Sequence, residues 1–259
     1  MCYFNSINLN IGDIIKISNK EKKINKKIQS NITSGFEYTQ WPIIKEDLNS
    51  AVHLLLEMAH WEFIPSWIHN TKELELSREK FTTLNAKGEN LLESKMYRDA
   101  SLKRRCIVLS SGFYEWRHYK PIGAKKENAY PYFITIKDKP VFFMAGIYQP
   151  WTDKNTGETI DSFAIVTTAA NTLMAKVHNK KKRMPTILSE SLAHEWIQDE
   201  LNESRIKEIA NFQLDDEYME ANSIRKDFKI SAYPQEKFIY PELPSLDKSE
   251  GFTNELPFV

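Results

Sequence analysis

Apolar residues along this chain fall into short clusters rather than one sustained period. The run from Ala51 to Pro65, closed by proline and rich in aromatics, predicts a strand that gives way to a turn at Ser66, Trp67 and Ile68. Arg105 to Leu109 predicts another strand, turned by Ser110, Ser111 and Gly112 into Phe113, Tyr114, Glu115 and Trp116. Tyr130 to Ile136 and Val141 to Tyr148 predict two strands, and the intervening Lys137, Asp138, Lys139 and Pro140 predict a hairpin between them. Ser162 to Thr168 is a further strand. Helical spacing is rarer. Leu92, Met96 and Ala100 lie four apart and predict an amphipathic helix over 88–100, so Asn85 stands where that helix begins. Leu192, Trp196, Ile197 and Leu201 predict a second helix over 189–202, with Ser189 as its cap and Glu190 in its first turn. A third is expected over 204–211.

Two segments carry little apolar signal. Lys16 to Lys27 holds Ile17 and Ile24 among six lysines, too sparse for a core helix, and predicts a solvated insertion or a short surface helix. The tail over 233–259 contains Pro234, Pro241, Pro244 and Pro257 and is expected to run extended over the body. Short strands with isolated helices, and no regular alternation of the two, predict an α+β fold in one domain over 1–259.

Composition narrows the function. The 259 residues are 41% hydrophobic, enough for a substantial core, and 35 Lys plus Arg balance 35 Asp plus Glu. A net charge of zero makes no global case for nucleic acid or an anionic membrane, so such a partner must be read from local patches. Only Cys2 and Cys106 occur, and neither a basic-then-apolar leader nor a run near the ~20 apolar residues of a membrane span is visible, so a reducing cytoplasmic setting is expected. The six histidines and two cysteines show no metal-ligand spacing, and no phosphate-cradling glycine loop appears, so neither metal nor cofactor is expected.

Four places could carry chemistry. Removal of Met1 would leave Cys2 as a 1,2-aminothiol, with an amine of reference pKa roughly 7.7–8.0 beside a thiol near ~8.5. Such an amine adds to an aldehyde as a Schiff base, and the neighbouring thiol then closes on the imine carbon as a thiazolidine. The plainer reading makes Cys2 the second residue of a buried first strand. Glu115 sits among Phe113, Tyr114 and Trp116, where desolvation would raise its pKa for acid–base work, unless its strand turns it outward. His178 opens a polar loop with Asn179, Lys180, Lys181, Lys182 and Arg183, which could seat a phosphodiester backbone or be a solvated face. Asn85 and Lys87 could offer donors at a pocket rim, or Asn85 could merely cap a turn.

Taken in order, the opening Met-Cys, WEFIPSW at 61–67, the asparagine segment at 85–90, GFYEW at 112–116, IVTTAAN at 165–171 and the VHN and RMP pieces at 177–185 resemble the SOS response-associated peptidase family. The resemblance is strongest over 1–197. It implies a single mixed domain with a curved, barrel-like sheet, flanking helices and a groove for single-stranded DNA. It also implies covalent capture of abasic sites through an N-terminal cysteine, with Cys2, Asn85, Glu115 and His178 as catalytic residues. DNA contacts are then expected from Lys87, Lys180, Lys181, Lys182 and Arg183, with Trp67 as a stacking aromatic. No obligate protein partner or membrane is expected, and association with the nucleoid would follow from DNA binding. β-Elimination at the imine is an implied side activity.

Departures from the family pattern fall on phosphate contacts. Tyr3 and Phe4 stand where members carry Gly and Arg, Lys87 replaces an arginine, and three lysines lengthen the spacing from His178 to Arg183. Two other classes stay open on these residues: a non-covalent single-stranded nucleic-acid binder, and a cysteine-dependent hydrolase using Cys2 and His178.

Overall fold

Strands dominate because alternating apolar side chains, many β-branched or aromatic, bury one face of an extended backbone at a time. The computed structural model describes residues 2–47, 53–198 and 200–246. In chain order it begins with β1 (Phe4–Leu9), β2 (Ile14–Ile17), β3 (Lys20–Lys23), β4 (Ile28–Ser34), β5 (Gln40–Glu46), β6 (Leu54–Trp61), α1 (Thr71–Arg78), β7 (Asn85–Lys87), α2 (Arg98–Lys103) and β8 (Arg105–Ser110). It continues with β9 (Gly112–Tyr119), β10 (Asn128–Ile136), β11 (Phe142–Thr152), β12 (Thr159–Ala169), α3 (Thr172–Val177), β13 (Arg183–Pro185), β14 (Ile187–Leu188), α4 (Glu190–Trp196), α5 (Glu203–Ala210) and β15 (Met219–Ser223).

Two sheets form the body. An antiparallel sheet runs β15-β10-β9-β1-β4. In the other, β12, β6, β5, β8 and β11 pair in that order, and β11 pairs back onto β12, which closes a barrel. Only the β6–β12 pairing in that ring is parallel, so the barrel is mixed. Its core includes Trp41, Trp61 and Phe163, with the Trp41 and Trp61 rings 5.9 Å apart and Trp61 stacked on Phe163 at 6.3 Å. The architecture is the α+β domain with a curved, barrel-like sheet and flanking helices that the resemblance implies.

The segment at Ser110, Ser111 and Gly112 carries the chain from barrel to sheet. Ser110 Oγ donates to Asn5 Oδ1 at 2.6 Å, and the Ser111 amide donates to the Ser6 carbonyl at 2.8 Å, which stitches β1 to this crossing. The Phe133 ring closes over Gly112, where a methyl group would lie 2.1 Å from it, so any side chain there would displace the ring.

Several local expectations are corrected. The strands over 130–136 and 141–148 are present but form no hairpin: β10 joins the sheet and β11 the barrel. A left-handed turn at Asp138, φ 57°, redirects the chain between them. The Lys16–Lys27 segment is neither helix nor loose insertion. It contains most of the β2–β3 hairpin, whose turn has Ser18 at φ 57°, and it buries Ile17 and Ile24. The helix expected over 88–100 is also replaced. Residues 85–87 pair parallel with β12, a short 3-10 turn follows at Gly88–Asn90, and α-helix begins only at Arg98. Leu92 and Ala100 are nonetheless buried, so their spacing marked burial rather than helix. The single helix expected over 189–202 ends at Trp196, and α5 begins a new helix capped by Asn202. The expected Ser189 cap is present, its side chain accepting from the Leu192 amide. The tail expected to run extended is instead broken by turns, with the Tyr233 carbonyl accepting from the Glu236 amide and the Tyr240 carbonyl from the Leu243 amide. It is fastened to the body where the Ser223 and Pro244 carbonyls accept from Phe238 and Arg117, and Pro257 lies outside the described residues. No helix among the described residues is long and apolar enough to cross a membrane.

The strand β7 depends on a close approach from α5. A methyl group at Gly88 would lie 2.3 Å from the Ala210 carbonyl oxygen, which is backbone and cannot rotate away. Gly88→Ala is therefore expected to destabilise the fold by ~1–3 kcal/mol, as overpacking does. Urea denaturation checks this, and an unchanged midpoint would refute the tight packing of α5 on the end of β7.

Candidate active site

Strand alternation places Glu115 inside. Tyr114 and Trp116 pack on the outer face of the sheet with Phe133, Ile224 and Phe228, so Phe113 and Glu115 face inward. Glu115 is only 3% exposed, which excludes the outward-facing surface strand. Burial pushes its carboxyl up to about 7. The register Phe4↔Tyr114 brings the segment before β1 alongside β9, and the Glu115 charge reaches both Tyr3 and Cys2. Cys2 is fully buried, its Sγ 3.8 Å from the Phe4 carbonyl, and burial with the nearby Glu115 carboxylate pushes the thiol well above its ordinary value. Both cysteines are free thiols.

His178 arrives from the other side, at the C-terminal end of α3. Its Nε2 lies 3.6 Å from Glu115 Oε2 and its Nδ1 lies 2.9 Å from the Arg183 carbonyl. A carbonyl only accepts, so Nδ1 carries the proton and Nε2 presents its lone pair to Glu115. Burial lowers the imidazole to about 4, which keeps it neutral near pH 7.

The residue that holds this loop is Asn179, which sequence reasoning did not assign. Its amide oxygen accepts from the His118 amide at 2.9 Å, and its amide nitrogen donates to the His118 carbonyl at 2.7 Å. Asn179 thus acts as a strand partner for β9, three residues from Glu115. An amide directly after a loop histidine was the available signal. The inserted lysines close on themselves, with the Lys182 amide donating to the His178 carbonyl and Lys182 left-handed at φ 49°.

Asn85 opens β7 opposite Ile165 rather than the expected helix, so the helix N-terminus expected beside it is absent. Both polar atoms of its amide are buried and have no hydrogen-bond partner among the described residues. An unmade bond of this kind costs ~1–3 kcal/mol, which a polar ligand would recover. The Cys2 and Asn85 segments meet across Gly35: its amide donates to the Tyr3 carbonyl at 2.8 Å, and a methyl group in its place would lie 3.0 Å from the Leu84 side chain.

The basic residues divide into two groups. Arg183 is already engaged: Nη2 donates to Glu89 at 2.9 Å and to the Thr167 carbonyl at 2.5 Å, and Nη1 pairs with the same Glu89 carboxylate. Lys180 pairs with Glu127 at 2.8 Å. Lys87, Lys181 and Lys182 are exposed, and Trp67 is 49% exposed on the loop after β6. No cluster of three or more metal-ligating side chains occurs among the described residues. A cavity of about 880 Å³ lies elsewhere, lined by residues such as Leu9, Phe142 and Leu214, and none of Cys2, Asn85, Glu115 or His178 borders it.

Residues 1–229 match the family model for SOS response associated peptidase (SRAP). The chicken "Abasic site processing protein HMCES" is 30% identical over 171 residues, covering 60% of this chain and 48% of that protein. "Abasic site processing protein YedK" of Escherichia coli is 30% identical over 158 residues, covering 61% of this chain and 62% of its own. The matches thus span about half of the vertebrate relative and less than two thirds of the bacterial one. A solved structure from Bacteroides thetaiotaomicron superposes with a TM-score of 0.73 at 31% identity, over 91% of this chain and 97% of that one.

The two buried groups have opposite effects on stability. Folded Glu115 holds its proton up to about pH 7 against 4.5 for an ordinary glutamate, so its contribution falls as pH rises across that window. His178 is lowered from 6.5 to about 4, so its contribution rises with pH across that window. In the wild type these slopes oppose each other. Glu115→Gln is expected to leave a protein that gains stability from pH 4 to 6.5, and His178→Gln one that loses it from pH 4.5 to 7. Each unit is worth about 1.4 kcal/mol, so urea titrations at several pH values resolve the difference. Slopes of the same sign in both variants would contradict the assignment.

Proposed function

The chain belongs to the SOS response associated peptidase family, and from that premise we propose that it captures abasic sites in single-stranded DNA covalently, through Cys2 after Met1 is removed. Met1 itself lies outside the described residues. The observation that carries the reading is the buried Glu115–His178 pair, 3.6 Å apart, with Cys2 alongside. The names of the relatives support the substrate class.

In this reading the neutral amine of Cys2 adds to C1′ of the ring-opened sugar aldehyde and forms a carbinolamine. A carboxyl held at about 7 is still substantially protonated near neutrality, so Glu115 gives its proton to the departing hydroxyl. Water leaves and an iminium remains. The thiol then adds to the same carbon. Its proton goes to the Glu115 carboxylate, which restores the acid, and the product is a thiazolidine with net loss of one water. Neutral His178 accepts a hydrogen bond at Nε2 from Glu115 or a sugar hydroxyl, and the unpaired amide of Asn85 orients the amine or the sugar. Thiazolidine closure consumes the imine before the C2′ proton is lost, which limits β-elimination.

The hydrolase alternative needs a thiolate nucleophile, and the Cys2 thiol is pushed up rather than lowered. DNA contacts are proposed for Lys87, Lys181, Lys182 and Trp67, with Lys180 and Arg183 contributing only where DNA displaces their carboxylate partners.

Cys2→Ser retains the amine but loses the ring-closing sulfur, so its adduct should require borohydride trapping. Glu115→Gln should slow adduct formation and reversal by roughly 10- to 10,000-fold without abolishing DNA binding. Time courses on a defined abasic oligonucleotide, with intact-mass measurement of the protein, separate these failures. Full crosslinking by protein that retains Met1, or a heat-stable unreduced adduct from Cys2→Ser, would overturn the proposal. A second test concerns charge. Neutralising Lys180, Lys181 and Lys182 together should flatten the dependence of binding on log salt by about 0.7 for each phosphate that no longer meets a cation. With Lys180 already paired, a change near ~1.4 is expected from the other two, and an unchanged slope would assign the loop to plain surface.

A further inference from the structure

We propose that Phe36, seated on Tyr3, is a stacking surface for the nucleobase next to the abasic residue; the inference rests on the reading of the site given above. Phe36 lies on the 3-10 turn Gly35–Glu37, which Ser34 caps by accepting from the Phe36 amide. Both sides of the turn are pinned to the site. The Gly35 amide donates to the carbonyl of Tyr3, the residue after Cys2, and a methyl at Gly35 would lie 3.0 Å from Leu84, the residue before Asn85. The turn therefore stands between the proposed nucleophile and the unpaired amide.

The neighbouring aromatic separates structural from available rings. Tyr38, at the end of the same turn, has the Arg78 guanidinium 3.7 Å from its ring centroid, and Arg78 is held by Glu62 at 2.7 Å. That ring is occupied by the fold. Phe36 is instead 49% exposed, while its inner side rests on Tyr3 with ring centroids 4.9 Å apart. Tyr3 is half-buried, and its phenol is pushed up by burial and by the Glu115 carboxylate. Two rings in contact thus lead from the buried carboxyl to solvent.

An abasic residue leaves the adjacent base without a stacking neighbour on one side. An exposed ring at the mouth of the site can take that face, and it does so for any base because every base presents a π-surface. Phe36 has no polar atom, so the contact carries no sequence preference by hydrogen bonding. Tyr3 stands where the family resemblance places Gly and so adds aromatic surface at this end of the site, while Phe4, in place of the family's Arg, packs against Trp116 on the outer face of the sheet.

The test uses single-stranded DNA carrying a tetrahydrofuran abasic analogue, which cannot crosslink, with 2-aminopurine on either side in turn. Wild-type protein should quench the fluorophore on one side. Phe36→Ala and Phe36→Leu should lose that quenching and bind roughly 5- to 150-fold more weakly, while Phe36→Tyr retains both. When the flanking base is itself removed, wild type should fall to the level of Phe36→Ala, and Phe36→Ala should lose nothing more. Equal losses with and without the flanking base, absence of quenching, or no binding of the analogue would each overturn the proposal. Loss of crosslinking with quenching intact would instead count against the proposed chemistry and leave the stacking surface standing.

Discussion

The burial of one carboxyl is the constraint on which the site depends. Glu115 lies on the inward face of β9, where desolvation opposes ionisation and holds its carboxyl up to about 7. His178 is set 3.6 Å away as a neutral imidazole, and β1 brings Cys2 alongside. Had an arginine faced Glu115, the carboxyl would be locked as an anion and lost as a proton donor near neutral pH. The pairing of β1 with β9 and the Asn179 latch exist in the same small volume because both hold elements against that strand.

Rigidity and charge are divided between neighbouring residues. Asn179 and Arg183 fasten the loop, one to the backbone of β9 and the other to Glu89 and β12, while Lys181 and Lys182 remain exposed between them. A protein of zero net charge attracts no polyanion through its overall field. Any attraction must act locally, from cations carried on a fastened loop beside the site. The unpaired amide of Asn85 is the opposite kind of feature: a polar group left unsatisfied by the fold at the point where a ligand would supply its partner.

Several elements were legible because their signals are local. The Ser189 cap and the strand over 162–168 follow from residue type and spacing. The helix predicted over 88–100 does not form as one element because Leu92 and Ala100 are buried for tertiary reasons, while the parallel pairing of β7 with β12 takes residues 85–87. The hairpin over 130–148 failed for a related reason: two good strands joined by a turn do not reveal that they belong to different sheets. Ile17 and Ile24 looked too sparse for a core because the hairpin that buries them uses only one residue in two.

By itself the sequence determined the chemical inventory. Its ordered motifs named Cys2, Asn85, Glu115 and His178 as one set, and its strand clusters specified an α+β fold, because residue type and short-range periodicity are written in the chain. Only the tertiary structure decided which way each side chain faced and what was already spoken for. It turned Glu115 inward and fixed the His178 tautomer through the Arg183 carbonyl. It engaged Arg183 and Lys180 with carboxylates and left Phe36 open where Tyr38 is covered. Apart from the His178–Arg183 contact within one loop, these are properties of contacts between residues tens of positions apart, and burial, pairing and proton affinity take their values only when such contacts form.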